Sequence, residues 1–128
     1  MMLSEMAVYL KDKGVGTVDT DIFVGFMPDS PESCVCLYEY AGKIPIWTHD
    51  GKKLMRPGLQ VVARGSVYST VRAKLQEIED LLDGITNTTI GSTFYLSIWA
   101  SQSVIPMGWE KNLVNVSQNY GVEHRKED

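Results

Sequence analysis

The clearest hydrophobic pattern in the chain lies between Ser66 and Gly84. The charged side chains of this stretch mostly avoid a stripe of apolar residues that recur every three or four positions, as on the buried face of a helix. The members of the stripe are Val67, Val71, Leu75, Ile78 and Leu82. We therefore predict a long helix that Ser66 caps with its hydroxyl and that Gly84 ends in a left-handed conformation.

A strand is predicted directly before this helix. Residues Leu59 to Arg64 are apolar and β-branched enough for a largely buried strand, and the Pro57-Gly58 pair before them is typical of a turn. Gly65 permits the sharp change of direction between the strand and the helix. The strand and the helix together are expected to form the centre of the fold.

The other periodic segments predict one more helix and four more strands. The helix spans Leu3 to Lys13, and the strands are Asp21–Phe26, Cys34–Tyr40, Phe94–Ala100 and Asn112–Tyr120. The first two of these strands are expected to pair as a hairpin. Between the later elements, a polar turn is expected at Asn87–Ser92 and a connector at Gln102–Trp109.

Together these elements predict an α+β fold in the order α-β-β-β-α-β-β. A mixed sheet of about five strands is expected to carry both helices on one face. Residues 1–120 are expected to form a single domain, because a chain of this length can bury a core without disulfides or metals. Residues 121–128 are charged and poor in apolar side chains, so we expect a disordered tail there.

The stretch from Ala41 to Met55 has no clear periodicity but contains much apolar surface. His49-Asp50-Gly51 predicts a turn, which would form the tip of an extended arm. Long loops without structure of their own are uncommon in compact domains and are often functional. Two alternatives stay open: the stretch folds back on the core, or another chain covers it. The candidate contact residues are Ile44, Ile46, Trp47, His49, Leu54, Met55 and Trp109.

Composition and charge exclude several classes of protein. Of the 128 residues, 44% are hydrophobic and 22% charged, as in ordinary globular proteins. The net charge of −4 argues against a surface that grips duplex DNA or an anionic membrane. No apolar run is long enough for a membrane span, and the N-terminus lacks the pattern of a signal peptide. The absence of a signal leads us to expect a reducing cytosol, and the two cysteines are too few and too close for a disulfide framework.

Reactive side chains do not form a pattern that predicts catalysis, a cofactor or a bound metal. Cys34 and Cys36 are closer than zinc ligands usually are and lack two partners, so buried apolar side chains are the favoured interpretation. A nucleophile pair of Cys36 and His49 is formally possible, but nothing nearby in the sequence activates the thiol. Arg56, Arg64 and Arg72 are interpreted as solvated or ion-paired surface in preference to an anion site.

Several stretches in one collinear order resemble the tail terminator, or minor capsid, proteins of long-tailed bacteriophages and prophages of Gram-positive bacteria. The likeness extends over nearly the whole chain, although Trp109 departs from the Arg or Asp that is common after the preceding glycine in that family. The stretches that carry it are Gly16–Pro31, Leu37–Gly42, Arg56–Arg64, Asp80–Gly84, Ile98–Ser103 and Met107-Gly108.

This resemblance implies a structural protein without enzymatic activity or cofactor. Such proteins form a ring, often of six subunits, which ends the tail tube in the virion, stops its polymerisation and offers a docking surface to the head connector. The implied partners are further copies of the chain, the tail tube protein and the head connector proteins, assembled in the host cytoplasm. Six copies carry a charge of −24, six times −4, which suits DNA that slides through the ring without specific binding.

Three other functions stay open at this point. The first is a head-closure or connector-completion protein, which belongs to the other side of the head–tail joint. The second is a small intracellular enzyme, which would need a concave pocket with convergent titratable groups. The third is a nucleic-acid-binding protein, which the charge disfavours.

Overall fold

The computed structural model describes residues 1–125, and within that range the chain forms two helices and nine strands. Neither helix in this range is long and apolar enough to cross a membrane. In chain order the elements are α1 (Met2–Asp12), β1 (Ile22–Val24), β2 (Cys34–Tyr40), β3 (Ile46–Trp47), β4 (Lys53–Met55), β5 (Gly58–Gly65), α2 (Tyr68–Leu82), β6 (Ile85–Ile90), β7 (Thr93–Ala100), β8 (Ile105–Glu110) and β9 (Leu113–Arg125).

The last strand, β9, is the centre of the sheet. Along one side it pairs with β5 over residues 114–121 and then with β4 at His124 and Arg125. Along its other side it pairs with β8 over residues 113–117 and with β7 over residues 120–124. All four neighbours run antiparallel to it. A strand of 13 residues is long by the standards of globular proteins, and this length lets one strand hold four others.

The outer strands cover only part of the inner ones. On one side β2 lies along β5, β1 lies along β2, and β3 lies along β4. On the other side β6 lies along β7 and does not extend along β8. Within the described residues, the edge strands of the sheet are therefore β1, β3, β6 and β8. The edges of β3 and β8 lie at diagonally opposite corners of the sheet.

Both helices pack on the same face of this sheet, as predicted. In α2 the side chains of Val71, Leu75, Ile78 and Leu82 are buried, and α1 buries Met2, Leu3, Met6, Ala7 and Leu10. They share one hydrophobic cluster with alternate residues of the three inner strands, among them Leu37, Val61 and Val116. A smaller cluster of Phe23, Cys34 and Cys36 lies on the opposite face. The predicted α+β class and mixed sheet are confirmed, with more strands than expected.

The C-terminal end of the chain corrects one prediction. Residues 121–125 were expected to begin a disordered tail, but they are the last part of β9, and Val122 and His124 are buried. The prediction failed because Glu123 and Arg125 made the segment resemble a charged tail. In the structure these two side chains lie on the more exposed face of the strand, and Val122 and His124 lie on the buried face. Residues 126–128 of the predicted tail lie outside the described range.

Two predicted loops are strands in the structure. The expected turn at residues 87–92 belongs largely to β6, whose exposed threonines gave no apolar alternation. The expected connector at residues 102–109 contains β8, all of whose residues are exposed. Strand β6 has few apolar residues, and the apolar residues of β8 are separated by Pro106 and Gly108, which are depleted in strands. Strands β3 and β4 lie in the stretch 41–55, which has no clear periodicity, so the count of about five strands was too low.

Two local predictions also need correction, and a third is confirmed. Strands β1 and β2 are parallel, so they do not form a hairpin: Val35 donates its amide hydrogen to Asp21, at the start of β1. The hydroxyl of Ser66 does not cap α2, whose N-cap residue is Val67. Gly84 does have a positive φ, of 92°, just after the helix, as expected.

The carboxylate of Glu5 joins α1 to the turn between β6 and β7. It accepts hydrogen bonds from the Ser92 amide at 2.7 Å and from the Tyr95 hydroxyl at 2.9 Å. Burial raises the pKa of the Glu5 carboxyl, but hydrogen bonds from Thr93, Ser92 and Tyr95 outweigh it, so the pKa lies below its ordinary value of 4.5. The ionised form is therefore the one that holds α1 in place.

Removing residues 121–128 should destabilise the protein severely, because β4 loses all of its pairing with β9, β7 loses most of its pairing, and the burial of Val122 is lost. We expect a loss of about 3 kcal/mol or more in the free energy of unfolding, measured by denaturant titration. A chain that ends at Arg125 keeps every described strand pair and is the control. Equal stability of the two truncated chains would contradict the role given to this end of β9.

Replacing Glu5 by Gln should remove about 1 kcal/mol of stability at neutral pH, because a neutral amide is a weaker acceptor for these donors. A lowered pKa contributes stability above the ordinary value of 4.5, and that contribution is lost as the pH falls through the folded pKa. The difference between wild type and Glu5→Gln should therefore shrink below pH 4.5. A difference that stays constant with pH would show that the carboxylate charge has no such role.

Candidate functional site

Residues 41–57, here called the arm, extend from the sheet between β2 and β5 as a short hairpin of β3 and β4. Its base is held by Arg56, whose guanidinium donates to the Ile44 carbonyl, with Nε at 2.8 Å. The Lys43 amide donates to the Arg56 carbonyl at 2.8 Å. Gly42 lies so close to that carbonyl that a Cβ there would clash with backbone. The arm is therefore a defined part of the fold, fixed where it leaves the sheet.

The tip of the arm, residues 48–52, is a tight turn held by its own polar groups. The Thr48 hydroxyl donates to the Lys52 carbonyl at 2.9 Å and also to the Asp50 carboxylate, which accepts the Lys52 amide at 3.1 Å. These hydrogen bonds, from Thr48 first and the Lys52 amide second, lower the pKa of Asp50. Gly51 supplies a φ of 78°. The predicted turn at His49-Asp50-Gly51 is present, and His49 is exposed within it.

The two faces of the arm differ in exposure: one face folds back on the protein, and for the other face cover by another chain stays a prediction. Leu54 lies opposite Ile46 and next to β9, and it is 8% exposed, so this face folds back on the protein. Trp47 and Ile44 are 72% and 81% exposed. The Lys53 ammonium lies 5.9 Å from the centre of the Trp47 ring. A large apolar surface is therefore left for another chain to cover.

A second apolar surface lies on β8, at the other end of β9. Ile105, Met107 and Trp109 are all exposed, Trp109 by 60%. The strand joins β9 through a two-residue turn at Lys111 and Asn112, both with positive φ, the geometry of a tight hairpin. Of these three residues only Trp109 is among the contact residues predicted from the sequence. Ile105, Met107 and Trp109 do alternate, but the residues between them are Pro106 and Gly108, which are depleted in strands, so the segment was predicted to be a connector.

The candidate contact residues thus form two groups that the structure does not bring together. Ile44, Ile46, Trp47 and His49 are exposed on the arm, Met55 is half-buried at its base, and Leu54 is buried. The arm joins β9 at His124 and Arg125, whereas Trp109 lies opposite Val114. Ten residues of strand at about 3.3 Å each separate these levels by about 33 Å.

Charge is also divided between the two regions. The arm carries Lys43, Lys52, Lys53 and Arg56 against Asp50 alone, a net +3, so the remainder of the chain carries −7 of the total of −4. Part of this negative charge lies at the C-terminal end of α2, beside residues 100–102 that lead towards β8. There Asp83 accepts the Ala100 amide at 2.8 Å, and Gln118 donates both to Glu79 at 2.8 Å and to the Gln102 carbonyl.

The arginines and cysteines considered for chemistry have structural roles in this arrangement. Arg64 donates to the carbonyls of Pro31 at 2.7 Å and Glu32 at 3.1 Å, so it holds the loop before β2, as Arg56 holds the arm at the opposite end of β5. These contacts favour a structural role for the two residues over an anion site. Arg72 is exposed on α2.

The two thiols are buried beside Met27, whose sulfur lies 3.8 Å from each. A hydrogen bond between the thiols lowers the pKa of Cys34, helped by the charge of Arg64, and it raises the pKa of Cys36. Cys36 lies at the level of Ser117 on β9, far from His49 at the arm tip. Residues 1–125 contain no group of three or more His, Cys, Asp and Glu side chains arranged to hold a metal ion.

Comparison with known proteins adds two findings. A family model described as "Bacteriophage tail terminator protein" matches residues 9–116. A chain in the solved structure "Virion of native gene transfer agent (GTA) particle" has a similar fold, with a TM-score of 0.69 and 13% sequence identity, over 95% of this chain and 94% of that one. At that identity the likeness concerns the fold alone. No curated protein sequence matches the chain.

Replacing Arg56 by Ala should loosen the arm without unfolding the protein, because the guanidinium holds only the Ile44 carbonyl at the arm base. We expect a protease specific for lysine to cut at Lys52 and Lys53 about tenfold faster. The free energy of unfolding should fall by about 1 kcal/mol or less. Arg72→Ala, on the exposed side of α2, is the control. An unchanged rate of cleavage in Arg56→Ala would contradict the proposal that the contact between Arg56 and the Ile44 carbonyl holds the arm.

Proposed function

Since this chain belongs to the bacteriophage tail terminator protein family, we propose that it forms a ring on the end of the tail tube. The ring stops polymerisation of the tube and presents its other face to the head connector. Six subunits are expected. The chain acts in the virion at the head–tail joint, after assembly in the host cytoplasm.

The family match confirms the resemblance drawn from the sequence, and it makes the chain a phage structural protein. The feature of this molecule that best supports the finer proposal is the arm. The exposed apolar surface of the arm, including Trp47 at 72% exposure, is costly to leave in water, and with the basic side chains around it this surface suits a protein partner. Its fixed tip reduces the conformational entropy lost on binding.

The reactive groups support the same proposal. Their assigned contacts hold loops or fill the core: Arg56 and Arg64 bind carbonyls, and the thiols of Cys34 and Cys36 pack on a methionine. We propose that the chain works without catalysis or cofactor. DNA is proposed to pass through the ring without specific binding, in keeping with the net charge of −4 per subunit.

Trp47→Ala should weaken capping of tail tubes at least tenfold while leaving the fold intact, because a buried interface tryptophan often dominates binding and Trp47 makes little contact within its own subunit. The measurement adds the protein to purified tail tube protein during polymerisation and records tube length by electron microscopy. Wild type should stop elongation, and the variant should not. Circular dichroism checks the fold.

Phe26→Ala is the matched control, because Phe26 is an exposed aromatic residue outside both the arm and β8. If wild type never associates with tube ends, even at high concentration, the proposed function is wrong. If it binds only to connector complexes from the head, the head-closure function replaces it.

A further inference from the structure

We propose that subunits join head to tail, with the arm of one copy seated on the exposed β8 strand of the next. This inference rests on the proposed ring function and names the contact that would build the ring. It assigns the partner of both apolar surfaces to a second copy of this chain, and it leaves the faces of the ring free for the tube and the connector.

The geometry of the sheet carries the first step. Four strands of the described sheet lie at an edge: β1, β3, β6 and β8. The edges of β3 and β8 lie at opposite corners, because β1 and β6 cover only the inner part of each side, and these are the two edges that carry the exposed tryptophans. The arm and Trp109 are about 33 Å apart along β9, so they cannot cover each other within one chain. Two different surfaces on opposite ends of a subunit form a heterologous contact, and repetition of such a contact closes into a ring when its rotation permits.

The chemistry of the two surfaces carries the second step. Each offers large apolar side chains: Trp47 and Ile44 on the arm, and Ile105, Met107 and Trp109 on β8. Tryptophan and methionine are enriched at the centres of protein interfaces. The unpaired backbone of each edge can also donate and accept hydrogen bonds across the contact.

The distribution of charge also supports this contact, because it favours binding of the arm to β8 over binding of two like surfaces. The arm has a net charge of +3, whereas the carboxylates of Glu79 and Asp83 lie beside the residues that lead into β8. At the other end of the strand, Glu110 is followed by Lys111. Two arms would repel each other, as would two acidic surfaces. Arm on β8 is the pairing in which opposite charges meet, and it should weaken with added salt.

The test uses two variants of the full chain that remove one surface each. The arm variant carries Ile44→Ser and Trp47→Ser, and the β8 variant carries Met107→Ser and Trp109→Ser; all four side chains are exposed, so the fold should persist. Association is measured by analytical ultracentrifugation and by photo-crosslinking. Each protein is studied free in solution at rising concentration and again when bound to purified tail tubes.

Wild type should form species larger than dimers, and each variant alone should associate at least tenfold more weakly. An equimolar mixture of the variants should regain association but stop at dimers, because one intact arm meets one intact β8 and no further contact is available. A photo-crosslinker at position 47 should attach to residues 105–110 of another copy. Phe26→Ser should behave as wild type.

Other outcomes overturn the proposal. If the arm variant stays monomeric and the β8 variant assembles normally, arms bind arms or another surface. If crosslinks from position 47 go only to the tube protein, the arm contacts the tube. If the protein caps tubes without any contact between the arm and β8, this pairing is disproved and the proposed function stands. If the arm binds β8 of another copy but the protein does not cap tubes, the pairing stands and the proposed function is disproved.

Discussion

The pairing of β9 with four antiparallel neighbours is the interaction on which the structure depends. The strand brings together the segments 53–65 and 93–110, which lie on its two sides and are distant in sequence. Each of these segments contains one strand that packs under the helices, β5 or β7, and one that extends beyond them, β4 or β8. The same ladder therefore builds the core around Val116 and Tyr120 and positions the arm and β8 at its two ends.

The elements that bury one face could be predicted from the sequence, and the elements that bury little could not. The stripe of α2, the strand before it and the apolar half of β9 were all predicted, since burial forces the apolar period to match the backbone period. Strands β6 and β8 bury little, and the chain beyond residue 120 alternates weakly, so only the backbone pairing seen in three dimensions defines them. The loop clamped by Arg64 likewise gives no local sign that β1 and β2 are parallel.

The candidate site divides in the same way. The apolar excess of residues 41–55 and the turn at Gly51 predicted an arm, and Trp47 is indeed exposed on it. The burial of Leu54 and the role of Arg56 depend on contacts with β9 and with the Ile44 carbonyl, which a linear pattern does not contain. The separation of the two exposed apolar regions by the length of β9 is what turns a set of hydrophobic residues into two distinct surfaces of a subunit.

The most direct test of this account is an electron cryomicroscopy map of tails assembled with the protein, at a resolution that shows side chains. The account predicts one closed ring at the end of the tube that faces the head, with Trp47 of every subunit buried against another chain. A tube end without this protein, or a ring in which the arms extend into solvent, would contradict it.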